Sequence, residues 1–278
     1  MPQTAPQTAV TGPDEDGEAW IRCFHAVPEA ALRLVCFPHA GGSASFYFPV
    51  STALRRAHEV KGRVEVLAVQ YPGRQDRRNE PPLTDLNVLA DHVAAALRSR
   101  ADKPMVFFGH SMGATVAFEV ARRLDGAPAA LVASGRRAPS RHRPDTVHRR
   151  DDEGVIAELR ELSGTDASLL EDEELLRLFL PAVRADYTAI ETYRGAPDAT
   201  VTCPVTVFVG DADPHVTIDE AEAWSGHTSG AFAMRVFEGG HFYLTASPAL
   251  TVERLTEVLT AQLAALPGDN AASDTATG

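Results

Sequence analysis

The stretch Met105-Val-Phe-Phe-Gly-His-Ser111-Met-Gly-Ala-Thr-Val-Ala-Phe-Glu-Val-Ala-Arg-Arg-Leu124 decides the fold. An apolar run, Met105 to Phe108, meets Gly109-His110-Ser111-Met112-Gly113, and an Ala-rich pattern with helical spacing follows at once. G-x-S-x-G needs a strand before it and a helix after it, because its two glycines let the chain turn sharply and push the serine oxygen out at the helix N-terminus. Both flanks are present, so Ser111 reads as an exposed nucleophile rather than an inert corner residue.

Working outward, short apolar runs recur at Leu32 to Phe37, Val64 to Val69, Ala130 to Ser134, Val205 to Val209 and Phe232 to Phe237, making six strands with Met105 to Phe108. Leu86, Leu89, Val93 and Leu97 share one helical face, Met112 to Leu124 forms a helix, Thr217-Ile-Asp-Glu220 has capping-box spacing, and Ser247-Pro248 has the form of an N-cap with proline behind it. This alternation predicts a mainly parallel central sheet with helices on both faces. Residues 139–195 hold no strand pattern but two helical ones, through Val155, Ile156, Leu159 and Leu162 and through Leu175, Leu176, Phe179, Leu180 and Val183; they are expected to form an inserted helical lid. Residues 1–18 and 267–278 are poor in apolar residues and are expected to be disordered tails around one domain over 19–266.

With 278 residues, 44% of them hydrophobic, the chain can bury a substantial core. Its formal net charge of −12 repels phosphate backbones and argues against nucleic acid as a partner. Three cysteines, Cys23, Cys36 and Cys203, lie far apart without C-x-x-C spacing, which speaks against a disulfide framework and a zinc site. No signal-peptide pattern and no apolar run of the roughly 18 residues a membrane span needs is present, so a cytoplasmic, non-membrane protein and a monomer are expected.

A serine hydroxyl needs a base, and the base an acid to hold it. On a sheet of this kind the chain order is Ser, acid, His. Among ten histidines, His241 in Glu238-Gly-Gly-His241-Phe follows the last strand directly and is the base; His227 is the reserve, with a solvated or capping role the simpler explanation. His110 occupies the elbow's variable position and is expected to point away from the serine oxygen, as a packing or hydrogen-bonding group. Asp211 and Asp213 sit in the loop after Val205 to Val209, at a strand's C-terminal end where catalytic groups gather; Asp213, deeper in the loop, is preferred. An oxyanion hole needs the N–H after the serine, from Met112, and one from an early loop, for which Ala40 in Pro38-His39-Ala40-Gly41-Gly42 is chosen.

Phe37-Pro-His-Ala-Gly-Gly42, Tyr71-Pro-Gly-Arg74, Gly109-His-Ser-Met-Gly-Ala114, Gly210-Asp-Ala-Asp-Pro214 and Gly239-Gly-His-Phe242 together resemble the type II thioesterases of polyketide synthases and nonribosomal peptide synthetases, over about Phe24 to Leu263. The resemblance implies an α/β-hydrolase fold with a lid, a Ser111, Asp213 and His241 triad, Ala40 and Met112 amides as the oxyanion hole, and an acyl or peptidyl carrier protein as partner. It implies no metal and no cofactor, the phosphopantetheine belonging to the substrate. Thioesterase domains fused to an assembly line generally take the acid from an earlier strand, here ending Ala133-Ser134-Gly135-Arg136, where no carboxylate stands. That favours a separate editing enzyme over a product-releasing domain. A carboxylesterase or lipase is the alternative, since the triad does not distinguish sulfur from oxygen esters.

Arg136, Arg137, Arg141, Arg143, Arg149 and Arg150, with His142 and His148, reverse the sign of an acidic chain beside the expected lid entrance. They are expected, with Arg74, Arg77 and Arg78, to steer docking of an acidic carrier.

Overall fold

The computed structural model describes residues 13–162 and 173–267. In chain order the elements are α1 (Pro13–Trp20), β1 (Ile21–Cys23), β2 (Leu32–Phe37), α2 (Phe48–Leu54), β3 (Val64–Val69), α3 (Leu86–Arg98), β4 (Met105–His110), α4 (Met112–Ala121), β5 (Ala130–Ser134), α5 (Asp152–Leu162), α6 (Glu173–Thr192), β6 (Val205–Gly210), α7 (Ile218–Glu222), β7 (Phe232–Phe237), α8 (Tyr243–Ala246) and α9 (Pro248–Ala264). The strands form one sheet in the order β1-β3-β2-β4-β5-β6-β7. All neighbours run parallel except β1, which pairs antiparallel with β3.

Every residue of β2, β3, β4 and β5 is buried, as a sheet covered on both faces requires. On β2, Val35 and Phe37 pack into the core shared with α3 and α4, while Leu34 and Cys36 pack into the opposite core with Leu54 of α2 and Leu255 and Leu259 of α9. Helix α4 is buried at all of its positions, which explains its apolar character all round.

The six expected strands are all present. Strand β1 was not expected, because three residues are too few to display an alternation. Helix α1 begins within the expected tail of residues 1–18 and ends in the domain at Trp20, which is buried, stacks on His92 of α3 at 5.3 Å and lies under the Arg77 guanidinium at 4.2 Å. The rest of the expected N-terminal tail, residues 1–12, and residues 268–278 of the C-terminal one lie outside the described residues. Thr217 and Glu220 form the expected capping box on α7. Pro248 opens α9 as expected, but Ser247 makes no side-chain cap bond there, so the helix start rests on proline alone.

Within 139–195 the described residues hold α5 and α6 and no strand. The two helices bury Val155, Ile156, Leu159, Leu176, Leu180, Val183 and Tyr187 against one another and Val147, a small core of their own above the sheet.

Candidate active site

The elbow begins where β4 ends. Ser111 has φ 54° and ψ −120°, a conformation hostile to a residue with a Cβ, and its N–H donates to Ser134 O on β5 at 2.8 Å. Such a turn exists only because α4 approaches the strand closely: a Cβ on Gly113 would stand 2.0 Å from Phe37 O of β2.

The side chains that sequence reasoning scattered over 130 positions meet here. His241 Nε2 lies 2.9 Å from Ser111 Oγ, and His241 Nδ1 lies 2.8 Å from Asp213 Oδ2. An ionised carboxylate only accepts, so Nδ1 carries the proton and Nε2 is left to accept from the serine hydroxyl. His241 and Asp213 are 5% and 9% exposed, which keeps water from competing for the relay. Asp213 Oδ1 also accepts the His215 N–H at 2.8 Å. Asp211 serves differently, its Oδ1 accepting the Gly239 N–H at 2.9 Å and clasping the two loops together.

Ser111 and His241 open into a cleft of about 270 Å³ whose lining includes Ala40, Met112, Leu159, Tyr187, Ile190 and Phe242. The Met112 N–H, in the first turn of α4, and the Ala40 N–H donate to no acceptor among the described residues. The lid reaches the relay from above: His215 Nε2 lies 3.1 Å from Glu158 Oε1 of α5, while its ring stands 5.4 Å from that of His241. The nearby His215 ring and then Arg150, which donates to Glu158 Oε2 at 2.8 Å, hold the Glu158 carboxyl below its ordinary pKa.

The other histidines fall into place by their partners. His110 is fully buried; its Nδ1 shares a hydrogen bond with Ser134 Oγ at 2.9 Å, and Ser134 Oγ shares one with Tyr243 OH at 2.5 Å. It is the hydrogen-bonding residue expected. Burial, and then the neighbouring His241 and His39, keep it far below the usual histidine range. His39, edge-on to Phe46 and Phe242, is lowered to about 3, first by burial and then by the charges of His241 and Arg74. His227 corrects expectation: it is neither solvated nor at a cap, but 1% exposed, hydrogen-bonded to Ala199 O at 2.7 Å and Ser140 Oγ at 2.8 Å. Among the described residues, no cluster of three or more His, Cys, Asp or Glu is placed to hold a metal ion. No helix among them is long and apolar enough to cross a membrane.

The arginine cluster does not form the single basic surface expected. Arg137 is buried and ion-paired with Asp145, Arg143 is held in a fork by Glu220 at 2.8 and 2.5 Å, and Arg150 is taken by Glu158. Arg74 and Arg77 are buried too, bound to Asp186 and Glu80. Arg136 lines the cleft instead of the outer surface, which leaves Arg78, Arg141, Arg149 and, even while paired with Glu158, Arg150 facing solvent. Acids consume the charge, some nearby in sequence, as Asp145 and Glu158 are to Arg137 and Arg150, and some remote, as Glu220 and Asp186 are to Arg143 and Arg74.

Sequence reasoning missed Glu158, Asp186 and His215. A signal existed for Asp186: it stands three positions after Val183 on the buried stripe of α6, where a carboxylate demands a partner.

A mainly parallel sheet presenting Ser, Asp and His in that chain order at its C-terminal edge, under a helical lid, defines the α/β-hydrolase fold. The chain belongs to the thioesterase domain family, whose match covers residues 32–263, and is a thioester hydrolase. It is 52% identical over 239 residues to a probable cadicidin biosynthesis thioesterase of Streptomyces griseus, a match covering 85% of this chain and 64% of that protein, just under two thirds of its length. It is also 52% identical over 234 residues to the thioesterase PikA5 of Streptomyces venezuelae, covering 82% of this chain and 81% of that one. The solved structure of BorB, the type II thioesterase from the borrelidin biosynthetic cluster, matches with a TM-score of 0.79 and 48% identity over 87% of this chain and 98% of that one.

Proposed function

We propose that this chain is a type II, editing thioesterase that hydrolyses acyl groups from the phosphopantetheine arm of acyl or peptidyl carrier proteins in polyketide or nonribosomal peptide assembly. The observation that carries the chemistry is the unbroken relay from Asp213 through His241 to Ser111 at the mouth of the cleft. His241 Nε2 takes the hydroxyl proton as Ser111 Oγ attacks the thioester carbonyl, and Asp213 stabilises the imidazolium. The Ala40 and Met112 amides bind the oxyanion. The carbon–sulfur bond then breaks, the thiol leaves with the proton from His241, and the acyl group remains on Ser111. A water molecule, deprotonated by His241, attacks this ester and releases the acid, with the proton returned to Ser111. A thiol of pKa near ~8.5 is a good leaving group and asks little acid assistance.

The cleft, at about 270 Å³, has room for a short acyl group beside Ser111. Two relatives support the pathway, one named for cadicidin biosynthesis and the other a type II enzyme of the borrelidin cluster.

The test is intact-mass detection of deacylation of carrier protein loaded with acetyl, propionyl or a longer acyl chain, by wild type and by Ser111→Ala. Hydrolysis by wild type alone, fastest for the short groups, is the expected result. Brisk turnover of a simple oxoester with no carrier deacylation would replace this assignment with a carboxylesterase.

A further inference from the structure

The Tyr71-Pro-Gly-Arg74 motif takes no part in the relay, yet Arg74 is 5% exposed and its partner Asp186 only 2%. Arg74 Nη1 and Nη2 donate to Asp186 Oδ2 and Oδ1 at 2.6 and 2.9 Å, a bidentate pair. Asp186 lies on α6, in the lid, whereas Arg74 follows β3 in the body. The same Asp186 Oδ2 accepts the Gly41 N–H at 2.7 Å, and Arg74 Nη1 donates to Gly42 O at 3.0 Å. The pair thus grips both glycines that follow Ala40.

We infer that the Asp186–Arg74 pair is a positioning device for the oxyanion loop, coupling the seating of lid helix α6 to the aim of the Ala40 N–H. The inference rests on the proposed role of Ser111 and the Ala40 amide. A peptide unit is planar, so the Asp186 bond to the Gly41 N–H orients the Ala40–Gly41 unit, while the Gly42 N–H, donating to His39 O at 2.9 Å, orients the His39–Ala40 unit that carries the Ala40 N–H; the pair grips the two glycines through which both are held. Gly41 sits at φ +76°, and a Cβ there would meet Val183 Cγ2 at 3.0 Å and Phe179 Cζ at 3.2 Å, both on α6, so the helix lies directly on the loop. Body residues hold the loop's flanks: Tyr47 OH donates to Phe37 O at 2.8 Å, Tyr71 OH to Pro38 O at 3.3 Å, and Gln70 Oε1 accepts the Ala44 N–H at 2.9 Å. Gly41 is the point left to the lid.

Stability alone is a poor reason for such a pair, since buried ion pairs are often replaced by apolar residues without loss. An apolar pair could not accept the Gly41 N–H. Asp186 touches neither Ser111 nor His241, so its effect on the reaction runs through the loop.

The test compares wild type, Ser111→Ala and Asp186→Asn in kcat and KM for acyl thioester, and in affinity for two probes. One is an alkylboronic acid, which forms a tetrahedral adduct on Ser111 that needs the oxyanion hole; the other is an acyl thioether analogue, which does not. Loss of one oxyanion donor costs on the order of 100- to 1,000-fold in kcat, so a misaimed donor should cost about 10- to 100-fold. Asp186→Asn is expected to lose kcat and boronate affinity by that factor, with KM and thioether affinity within about threefold. Wild-type kcat and an unchanged ratio of boronate to thioether affinity, whatever the melting temperature, would overturn the positioning role. If Asp186→Asn does not fold, the Arg74→Met/Asp186→Leu double variant removes both charges together and takes the same measurements with the same two outcomes. Hydrolysis that survives Ser111→Ala would instead sink the assignment of the nucleophile on which the inference stands.

Discussion

His39 and His110 surround the reacting histidine as neutral rings, and their burial ties activity to stability at the scale of single residues. Each has a folded-state pKa below the unfolded value of 6.5: His39 about 3, His110 well below 6.5. The unfolded chain therefore binds protons that the folded chain refuses. Their stabilising contribution is complete above pH 6.5 and is lost as pH falls from there towards the folded-state values. Each buried neutral histidine should cost roughly 1.4 kcal/mol per pH unit in that window. Urea midpoints measured at pH 7, 6 and 5 are expected to fall, and to fall less steeply in His39→Phe, which keeps a ring against Phe46 and Phe242. Identical slopes in the two proteins would mean that His39 does not stay neutral in the fold.

Between elements, the decisive contact is that of α4 on the end of β2, since it sets where the Ser111 oxygen emerges. A methyl group at Gly113 would lie 2.0 Å from Phe37 O, so Gly113→Ala must push apart the elbow and the strand that leads into the oxyanion loop. Destabilisation of about 3 kcal/mol or more is expected, with activity falling further than the folded fraction. Gly126, where an added Cβ meets nothing within 4 Å, is the control: Gly126→Ala should leave both within a small margin. Urea unfolding and activity on one preparation check the pair. The lid helices reach the same site from the other side, α5 through Glu158 and His215, α6 through Asp186 and Gly41. The helical patterns of residues 139–195 made the lid legible as an insertion, but not these contacts, because periodicity reports which face of a helix is apolar and says nothing of what that face meets.

For the molecule as a whole, a net charge of −12 sets the terms on which the proposed carrier, if acidic, is met. Attraction has to be local, and of the arginines in the basic run Arg141, Arg149 and Arg150 are exposed, Arg141 and Arg149 without an acidic partner among the described residues. Arg141→Glu is expected to raise KM for a carrier-bound acyl group by roughly three- to tenfold, with added salt raising the wild-type KM in the same way, and to leave a small soluble thioester unaffected. Equal changes for both substrates would remove Arg141 from docking. Sequence by itself determined the parallel sheet, the strands β2 to β7, the elbow at Ser111, and the order in which acid and base follow it, since buried strands are continuous apolar runs and the elbow's chemistry demands a strand, two glycines and a helix. Only the tertiary structure decided the rest. It gave Asp211 to the Gly239 N–H, buried His227 as a strut, tied Arg143 to Glu220 far along the chain, and set Asp186 against Arg74. Those outcomes depend on which charges and donors come within about 3 Å of one another, a distance that folding fixes among residues remote in sequence.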